Sequence, residues 1–402
     1  MISLAGRDIL HQGGKFAFTG VGLGLLIGVT LTMAGVYRGM IDDGRALLDN
    51  SGAELWVVQQ QTLGPYAEPS SIPDDLYRGL RSVGGVQEAV NVTYLTMEVR
   101  EQRDGRESRV MLVGVSPGGP GTSGWPPHLI AGRHLTRSHF EAVADVSTGF
   151  RLGDQIRIRH HLHTVVGLTQ RMVSSAGDPM VFIPLRDAQA AQFQKDDAAV
   201  RQARRRTELS PALNPPGSPA VLAGVLAAQE TSHFVNAVLV RLAPSTDPAV
   251  VATNISRWRG LTVFTRTQME ALLVGKLIAT SARQIGLFLV ILSVVSAAIV
   301  AFIIYTMTLG KMREIAVLKL IGTRNRTISG MILQQSVALG VIGFAVGKIA
   351  ASIWAPVFPK YVLLVTRDAV AGFAAVLLIC VVASLIAINA ALRIDPADAI
   401  GG

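Results

Sequence analysis

The chain has 402 residues, of which 50% are hydrophobic and 16% charged, with 40 glycines and a formal net charge of +9. Soluble domains carry about 25% charged residues, so this balance argues against an ordinary cytosolic enzyme, and the apolar content excludes intrinsic disorder. A single cysteine, Cys380, rules out an internal disulfide framework and any cysteine-based zinc site.

Residues 1–15 form a short segment with Arg7 and Lys15 against Asp8, followed by an apolar window, Phe16–Tyr37. That window is longer than a signal-peptide core of about 7–15 residues, and Thr32–Tyr37 offers no small-x-small cleavage site. It is read as an uncleaved first span. Three more windows, Ile285–Leu309, Ile328–Trp354 and Ala369–Leu392, complete a set of four in which Lys348 is the sole formal charge. A bilayer core takes about 20 apolar residues as helix, so each window can cross it. Four helices buried in a large water-soluble core would be the alternative, but such helices are rarely this long or apolar on every face. The predicted fold class is an α-helical membrane protein with four transmembrane helices and a large α+β extracytoplasmic domain between helices 1 and 2.

In the first span Gly20, Gly24 and Gly28 recur every fourth residue, and Gly343 and Gly347 do so in the third. That spacing lets helices approach closely in lipid, where packing drives association. It does not say whether the contact lies within or between subunits.

Residues 38–284 carry 26 basic against 23 acidic residues, too even for a nucleic-acid face. Ala53–Gln59 reads as a strand. Pro73–Val83 reads as a helix, with Pro73 at its first position, Asp74 and Asp75 at its positive end and Gly84–Gly85 ending it. Strands follow at Val90–Arg100 and Arg109–Val115, then a turn-rich stretch, Ser116–Pro127. Gln155–Arg159, His163–Leu168 and Met180–Pro184 are further strands. The domain is expected to hold two subdomains, and the polar stretch 194–219, with Arg201, Arg204, Arg205 and Arg206 before four prolines, reads as a flexible insertion in it. Ala237–Leu242 is a strand, Pro248–Trp258 a helix and Leu261–Thr265 a last strand. Thr267–Glu270 has capping-box spacing and opens a helix expected to run unbroken into the second span.

Little in the domain suggests chemistry. His160, His161 and His163 form a cluster, but no cysteine or helix-spaced His–Glu set accompanies them. A solvated or lightly packed strand is preferred to a metal site. No Gly-x-Ser-x-Gly turn positions a nucleophile. Gly343–Lys348 resembles an ATP-binding loop only superficially: the spacing is wrong, no Ser or Thr follows, and it lies inside a span. Neither a catalytic residue nor a metal is expected. Lys348 itself is read as snorkelling to the headgroups, with a substrate or lipid contact as the alternative.

The loop 310–327 holds Lys311, Arg313, Lys319, Arg324 and Arg326 against one acid, Glu314, and such enrichment in a short loop marks the cytoplasmic side. Both termini are then cytoplasmic, the domain 38–284 and the loop 355–368 periplasmic, and 393–402 a cytoplasmic tail. Lys311–Gly322 reads as a short amphipathic helix stopped by Gly322, with Met312, Ile315, Leu318 and Ile321 as an apolar stripe. A helix lying on anionic lipid is one reading of it and a docking element for a cytosolic partner the other.

At this loop the sequence resembles the FtsX-like, MacB-type permeases of ATP-binding-cassette (ABC) systems, whose Arg-Glu-Ile-Ala-x-Leu-(Lys/Arg)-x-(Ile/Leu)-Gly pattern stands here as Arg313–Gly322. The ending Arg393–Ile400 is similar to the family's closing signature, and His128–Leu135 and Arg151–Ile156 look like its outer-domain patterns. Lacking a fused ATPase and carrying the insertion around Arg201–Arg206, the chain is most similar to the DevC-type subgroup. The resemblance implies a multi-pass protein of the bacterial inner membrane, a homodimer bound to separate cytoplasmic ATPase subunits that hold ATP and Mg. Its coupling contact would be Lys311, Arg313, Glu314, Ile315, Leu318, Lys319, Gly322 and Arg324. It implies transmission of ATP-driven motion outward (mechanotransmission), and export or efflux of a lipid-like or amphiphilic substrate with a periplasmic membrane-fusion adaptor and an outer-membrane channel. Lipoprotein or lipid extraction, and a non-transporting relay controlling a cell-wall hydrolase, are the alternatives. A membrane-anchored sensor fits less well, for want of a cytosolic signalling domain.

Overall fold

The computed structural model describes residues 13–119, 121–193, 202, 205–210, 222, 225, 233–358 and 360–392. Arg7 and Asp8, the insertion apart from 202 and 205–210, and the closing signature Arg393–Ile400 lie outside the described residues. The chain divides into two units, one of Met1–Asp42 with Thr280–Gly402 and one of Asp43–Ala279.

Four helices are long and apolar enough to cross a membrane. They are α1 (Gly13–Asn50), α6 (Ala279–Leu309), α8 (Asn325–Trp354) and α9 (Thr366–Leu392), with the short α7 (Met312–Leu320) between α6 and α8. The window Phe16–Tyr37 is thus the middle of a longer helix, because Arg38–Asn50 keeps helical periodicity after its hydrophobicity falls. All four helices feed one core of Leu23, Ile27, Val300, Ile304, Leu339, Cys380, Ala383 and Ala387. On α8 the buried face runs from Ile328 and Ile332 through Leu339 to Gly340, Gly343, Gly347 and Ala351, narrowing to small residues toward its C-terminal end.

That narrowing has a partner. A Cβ added at Gly347 would lie 2.6 Å from the Gly24 carbonyl oxygen and 3.0 Å from the Gly28 nitrogen. At Gly24 it would lie 2.6 Å from Val346, at Gly343 2.9 Å from Leu23, and at Gly20 3.0 Å from Ile342. The two glycine faces therefore pack on each other within one chain, backbone against backbone, as small residues allow in lipid.

In the second unit the strands are β1 (Leu55–Gln59), β2 (Ile72–Pro73), β3 (Val86–Glu101), β4 (Glu107–Val115), β5 (Leu129–Gly132), β6 (Glu141–Asp145), β7 (Gln155–Ile158), β8 (His161–Thr169), β9 (Met180–Pro184), β10 (Phe234–Val235), β11 (Ala237–Leu242) and β12 (Leu261–Thr265). The helices are α2 (Leu76–Arg81), α3 (Leu185–Gln192), α4 (Pro248–Ser256) and α5 (Arg266–Leu272). The main sheet runs β12-β1-β11-β3-β4-β9-β6-β8-β5, with β7 bridging β3 and β8. The long strand β3 joins its halves: residues 86–92 pair with β11 and 92–100 with β4. One half packs α2 and α4 on Leu55, Val57, Val238 and Val240; the other packs α3 on Val110, Leu112, Val181 and Ile183. The large domain is thus an α+β unit in which the two packed halves share one long strand.

Three local readings need correction. Pro73 does not open a helix; it pairs with Phe234 in a two-stranded ribbon, and α2 starts only after Asp75. The capping box is Thr265 with Gln268, not Thr267 with Glu270, because the chain turns helical as soon as β12 ends. Glu270 instead pairs with Arg45 at 2.8 Å. The helical run from there is not an unbroken α-helix: Leu273–Ile278 is a π segment before α6 begins.

The two outer patterns of the sequence build β5 with the turn that ends it, and the turn that leads into β7. Gly132, at φ +80, lets β5 end against the Val166 carbonyl. The next residue, Arg133, grips the buried Glu141 with two hydrogen bonds of 2.6 and 3.1 Å. Glu141 also accepts from the Thr136 and Arg137 amides at 2.8 and 3.0 Å. In the second pattern Arg151 N donates to Asp154 Oδ2 at 2.8 Å, and Gly153 turns at φ +86.

Two outcomes follow from this packing. Gly347→Leu should cost about 1–3 kcal/mol by overpacking and lower the thermal midpoint in detergent, whereas Gly22→Leu, which meets nothing within 4 Å, should leave it unchanged. Equal midpoints for the two variants would contradict an α1–α8 contact. The Arg133 guanidinium holds the Glu141 carboxyl down at about 2 from an ordinary 4.5; burial opposes this and the Arg137 and Thr136 amides reinforce it. Its contribution is complete above the ordinary value and is lost as pH falls through about 2. Glu141→Gln should lower stability at pH 7 by about 1.5–3 kcal/mol and flatten the acid limb of a full-chain pH–stability curve. A variant with unchanged acid limb would refute the linkage.

Candidate functional site

The charged loop between α6 and α8 folds as foreseen, then differs in which side it shows. Helix α7 ends at Ile321, where the Thr323 amide donates to Leu318 O and the Gly322 amide to Lys319 O, each at 3.0 Å. That pair of bonds, with Gly322 at φ +89, is a Schellman cap, which only a residue tolerant of the left-handed region closes cheaply. The apolar stripe does not hold as a single face. Steps of three residues fall short of a turn by about 60°, so three steps carry Ile321 to the side opposite Met312.

One side of α7 is anchored. Ile315 is buried with Ile328 and Ile332, and Met312 and Ile388 pack on the same cluster. Lys311 is only 9% exposed. Lys319 Nζ donates to the Leu392 carbonyl at 3.0 Å, tying α7 to the end of α9. Leu318 is half-buried. The other side is open: Arg313, Glu314 and Arg324 are exposed, as is Gly322, and between them lie Val317 at 43%, Leu320 at 64% and Ile321 at 76%. Of the eight residues read as one contact, the structure thus splits Lys311, Ile315, Leu318 and Lys319, which face the bundle, from Arg313, Glu314, Gly322 and Arg324, which face out. Val317 and Leu320 escaped the sequence reading, though the helical period from Arg313 reaches both. An exposed apolar strip rimmed by charge is the composition of a protein-docking face.

The glycines are brought together as described above. The histidine cluster is not a convergent ligand set. His163 is buried with Nε2 3.2 Å from Asp187 Oδ2, while His139 Nδ1 lies 2.6 Å from the other oxygen. His161 is exposed beside Phe140, with ring centroids 5.4 Å apart. Burial pushes the Asp187 carboxyl up, but hydrogen bonds from His163, His139 and the Phe140 amide outweigh it and leave it lowered. The arrangement fastens α3 to β8, and among the described residues no group of three or more His, Cys, Asp or Glu converges on a metal position. Lys348, outside this site, lines a small cavity among α1, α8 and α9.

Comparison with known proteins bears on the whole chain. Residues 16–257 match the MacB-like periplasmic core domain, and residues 286–396 match the FtsX-like permease C-terminal region. An uncharacterized ABC transporter permease of Mycobacterium tuberculosis is 25% identical over 403 residues, covering 100% of both chains. Another, of Mycobacterium bovis, is 22% identical over 402 residues with the same coverage. Among solved structures, the extracellular domain of the noncanonic ABC-type transporter YknZ from Gram-positive bacteria aligns with 53% of this chain and 99% of its own, at 12% identity and TM-score 0.32. The periplasmic region of MacB from Actinobacillus actinomycetemcomitans aligns with 55% and 91%, at 11% identity and TM-score 0.33. The two family regions lie in the order in which the fold places the large domain and the clustered spans, and the chain belongs to the MacB-like, FtsX-like family of ABC transporter permeases.

Proposed function

We propose that this permease couples ATP hydrolysis on separate cytoplasmic ATPase subunits to movement of its large domain on the other side of the membrane. The observation that carries this reading is the division of α7 into an anchored and an exposed face. A helix that only rested on the membrane would bury its apolar strip toward lipid and turn its charges away. Here the apolar strip Val317–Leu320–Ile321 shares the open side with Arg313, Glu314 and Arg324.

In this mechanism the partner seats on the open side of α7. Glu314 and Arg313 fix its register by charge, and Leu320 and Ile321 fill an apolar depression on it. The partner holds ATP and Mg, and the present chain supplies no catalytic group. When the ATPases close, α7 is displaced and cannot move alone. Ile315 drags Ile328 and Ile332 of α8, and Lys319 pulls on the end of α9. The backbone contact of Gly347 with Gly24 and Gly28 then passes the displacement from α8 to α1.

The basic loop argues for α7 on the cytoplasmic side of a bacterial inner membrane, with both termini there and the large domain periplasmic. A homodimer supplies the two docking faces that paired ATPases need. A lipid-like or amphiphilic cargo, handed to a membrane-fusion adaptor and an outer-membrane channel, is the transport task we assign to it. This last step rests on resemblance to the DevC-type subgroup.

Glu314→Lys should reduce co-purification of the ATPase and permease-stimulated ATP hydrolysis at least about tenfold, while membrane insertion is retained. Leu320→Asp should do the same through the apolar strip. Normal complex formation by both variants would refute docking on this face. Deletion of residues 201–206 should be tolerated better than deletion of 313–322, measured as transport or ATPase coupling, and equal losses would contradict that ranking.

A further inference from the structure

Lys348 lies on α8 six residues before Trp354, which is about 9 Å along the helix axis. Trp354 closes the helix and Tyr361 follows in the connection to α9, aromatic residues of the kind that settle at the headgroup level. Lys348 therefore sits below that level, in the span. Among the described residues its ammonium has no ion-pair or hydrogen-bond partner.

The nearby carboxylate does not answer it. Asp368, in the first turn of α9, is held by Arg38 of α1 through two hydrogen bonds, Nε to Oδ2 at 2.9 Å and Nη2 to Oδ1 at 3.0 Å. A bidentate pair of this kind satisfies both partners. The Lys348 charge is not answered by it.

That charge borders a cavity of about 180 Å³, walled by Leu31, Ala34 and Gly35 of α1, Ala351 and Ser352 of α8, and the chain from Leu363 to Thr366 with Asp368 and Ala369. The connection over it is fixed. The Leu363 amide donates to the Gly35 carbonyl at 3.0 Å, and any side chain at Gly39 would collide with the Tyr361 carbonyl. Thr366, where α9 starts, brings the positive end of a helix dipole to the same cavity. The rest of the lining is apolar apart from the Ser352 and Thr366 hydroxyls and Asp368, whose carboxylate Arg38 already neutralises; the volume is too small for a whole lipid but suits a headgroup phosphodiester with its adjoining glycerol.

We propose that this cavity seats the phosphodiester of an anionic phospholipid, with Lys348 as its counter-ion and Leu31, Leu363 and Leu364 against the glycerol and first methylenes. The bound lipid would complete the charge balance at the end of the α1–α8 contact. The inference rests on the four helices being membrane spans, not on docking of an ATPase.

Trp354 is the single tryptophan of the spans, since Trp56, Trp125 and Trp258 belong to the other unit, so quenching of its fluorescence by brominated lipid reads occupancy nearby. The full chain in mixed vesicles should be quenched by dibrominated phosphatidylglycerol at about fivefold lower mole fraction than by dibrominated phosphatidylcholine, the preference expected for one basic side chain facing anionic lipid. Lys348→Gln should abolish the preference and Lys348→Arg retain it. Ala34→Leu, which fills the cavity and leaves the charge, should also abolish it. Inorganic phosphate at constant ionic strength should not compete. No preference in the wild-type protein, or an undiminished one in both Lys348→Gln and Ala34→Leu, would overturn the proposal; relief by inorganic phosphate would make this a free-anion site and overturn the lipid assignment. Failure of the protein to incorporate into vesicles at all would count instead against the spans.

Discussion

Close approach of two backbones holds the membrane unit together, and its other features depend on that contact. Between apolar helices in lipid there is no gain from removing hydrocarbon from water, so association rests on van der Waals contact and on what polar groups can find. Gly24, Gly28 and Gly347 bring α1 and α8 to a separation that no side chain would allow. Larger residues on the same faces then interlock, with Leu23 over Gly343 and Ile342 over Gly20. The geometry is stiff because the touching atoms are backbone, which has no rotamers to yield. The coupling proposed above relies on this stiffness, since a contact that yielded would absorb a displacement of α8 before it reached α1.

The docking role proposed for α7 sets a different problem. A docking element must be firm toward its own protein and available toward another, and nine residues leave little room for both. The division falls by angle. Ile315 faces the ends of the spans, Lys319 reaches the last carbonyl described in α9, and the Gly322 cap prevents the helix from running on into α8. Capping by two hydrogen bonds also spares the exposed carbonyls that a short helix would otherwise leave open. What remains outward is a mixed apolar and charged strip, and the two lysines counted with it in the sequence are spent on anchoring.

The spans, the order of domains and most strands of the large domain were legible because their signals are local. Met180–Pro184, Ala237–Leu242 and Leu261–Thr265 read as uninterrupted apolar or β-branched runs and are strands with those bounds. Pro73 misled because its role is set by Phe234, far along the chain, and no local pattern announces that pairing. The α7 stripe misled through periodicity: a three-residue repeat looks regular in print but precesses around a helix of 3.6 residues per turn. Gly20, Gly24, Gly28, Gly343 and Gly347 were visible as packing surface, while their mutual contact required the fold. Arg38 and Asp368 gave no signal, since a pair so distant in sequence is joined only when α1 and α9 stand side by side.

The π segment Leu273–Ile278 changes how the covalent route into the second span should be regarded. An unbroken α-helix there would be a rod. Six residues bonded one position further along hold an extra residue in the turn, and a wide turn can give that residue back with a change of register and little loss of hydrogen bonds. Ile278 is buried and would meet a side chain placed at Gly44, so the segment is packed in place and is not a fraying end. Nothing in Leu-Val-Gly-Lys-Leu-Ile marks it in the sequence, because hydrophobic content and helical propensity are the same for α and π. In the proposed coupling, such a run can yield by a step in register, which an unbroken α-helix cannot.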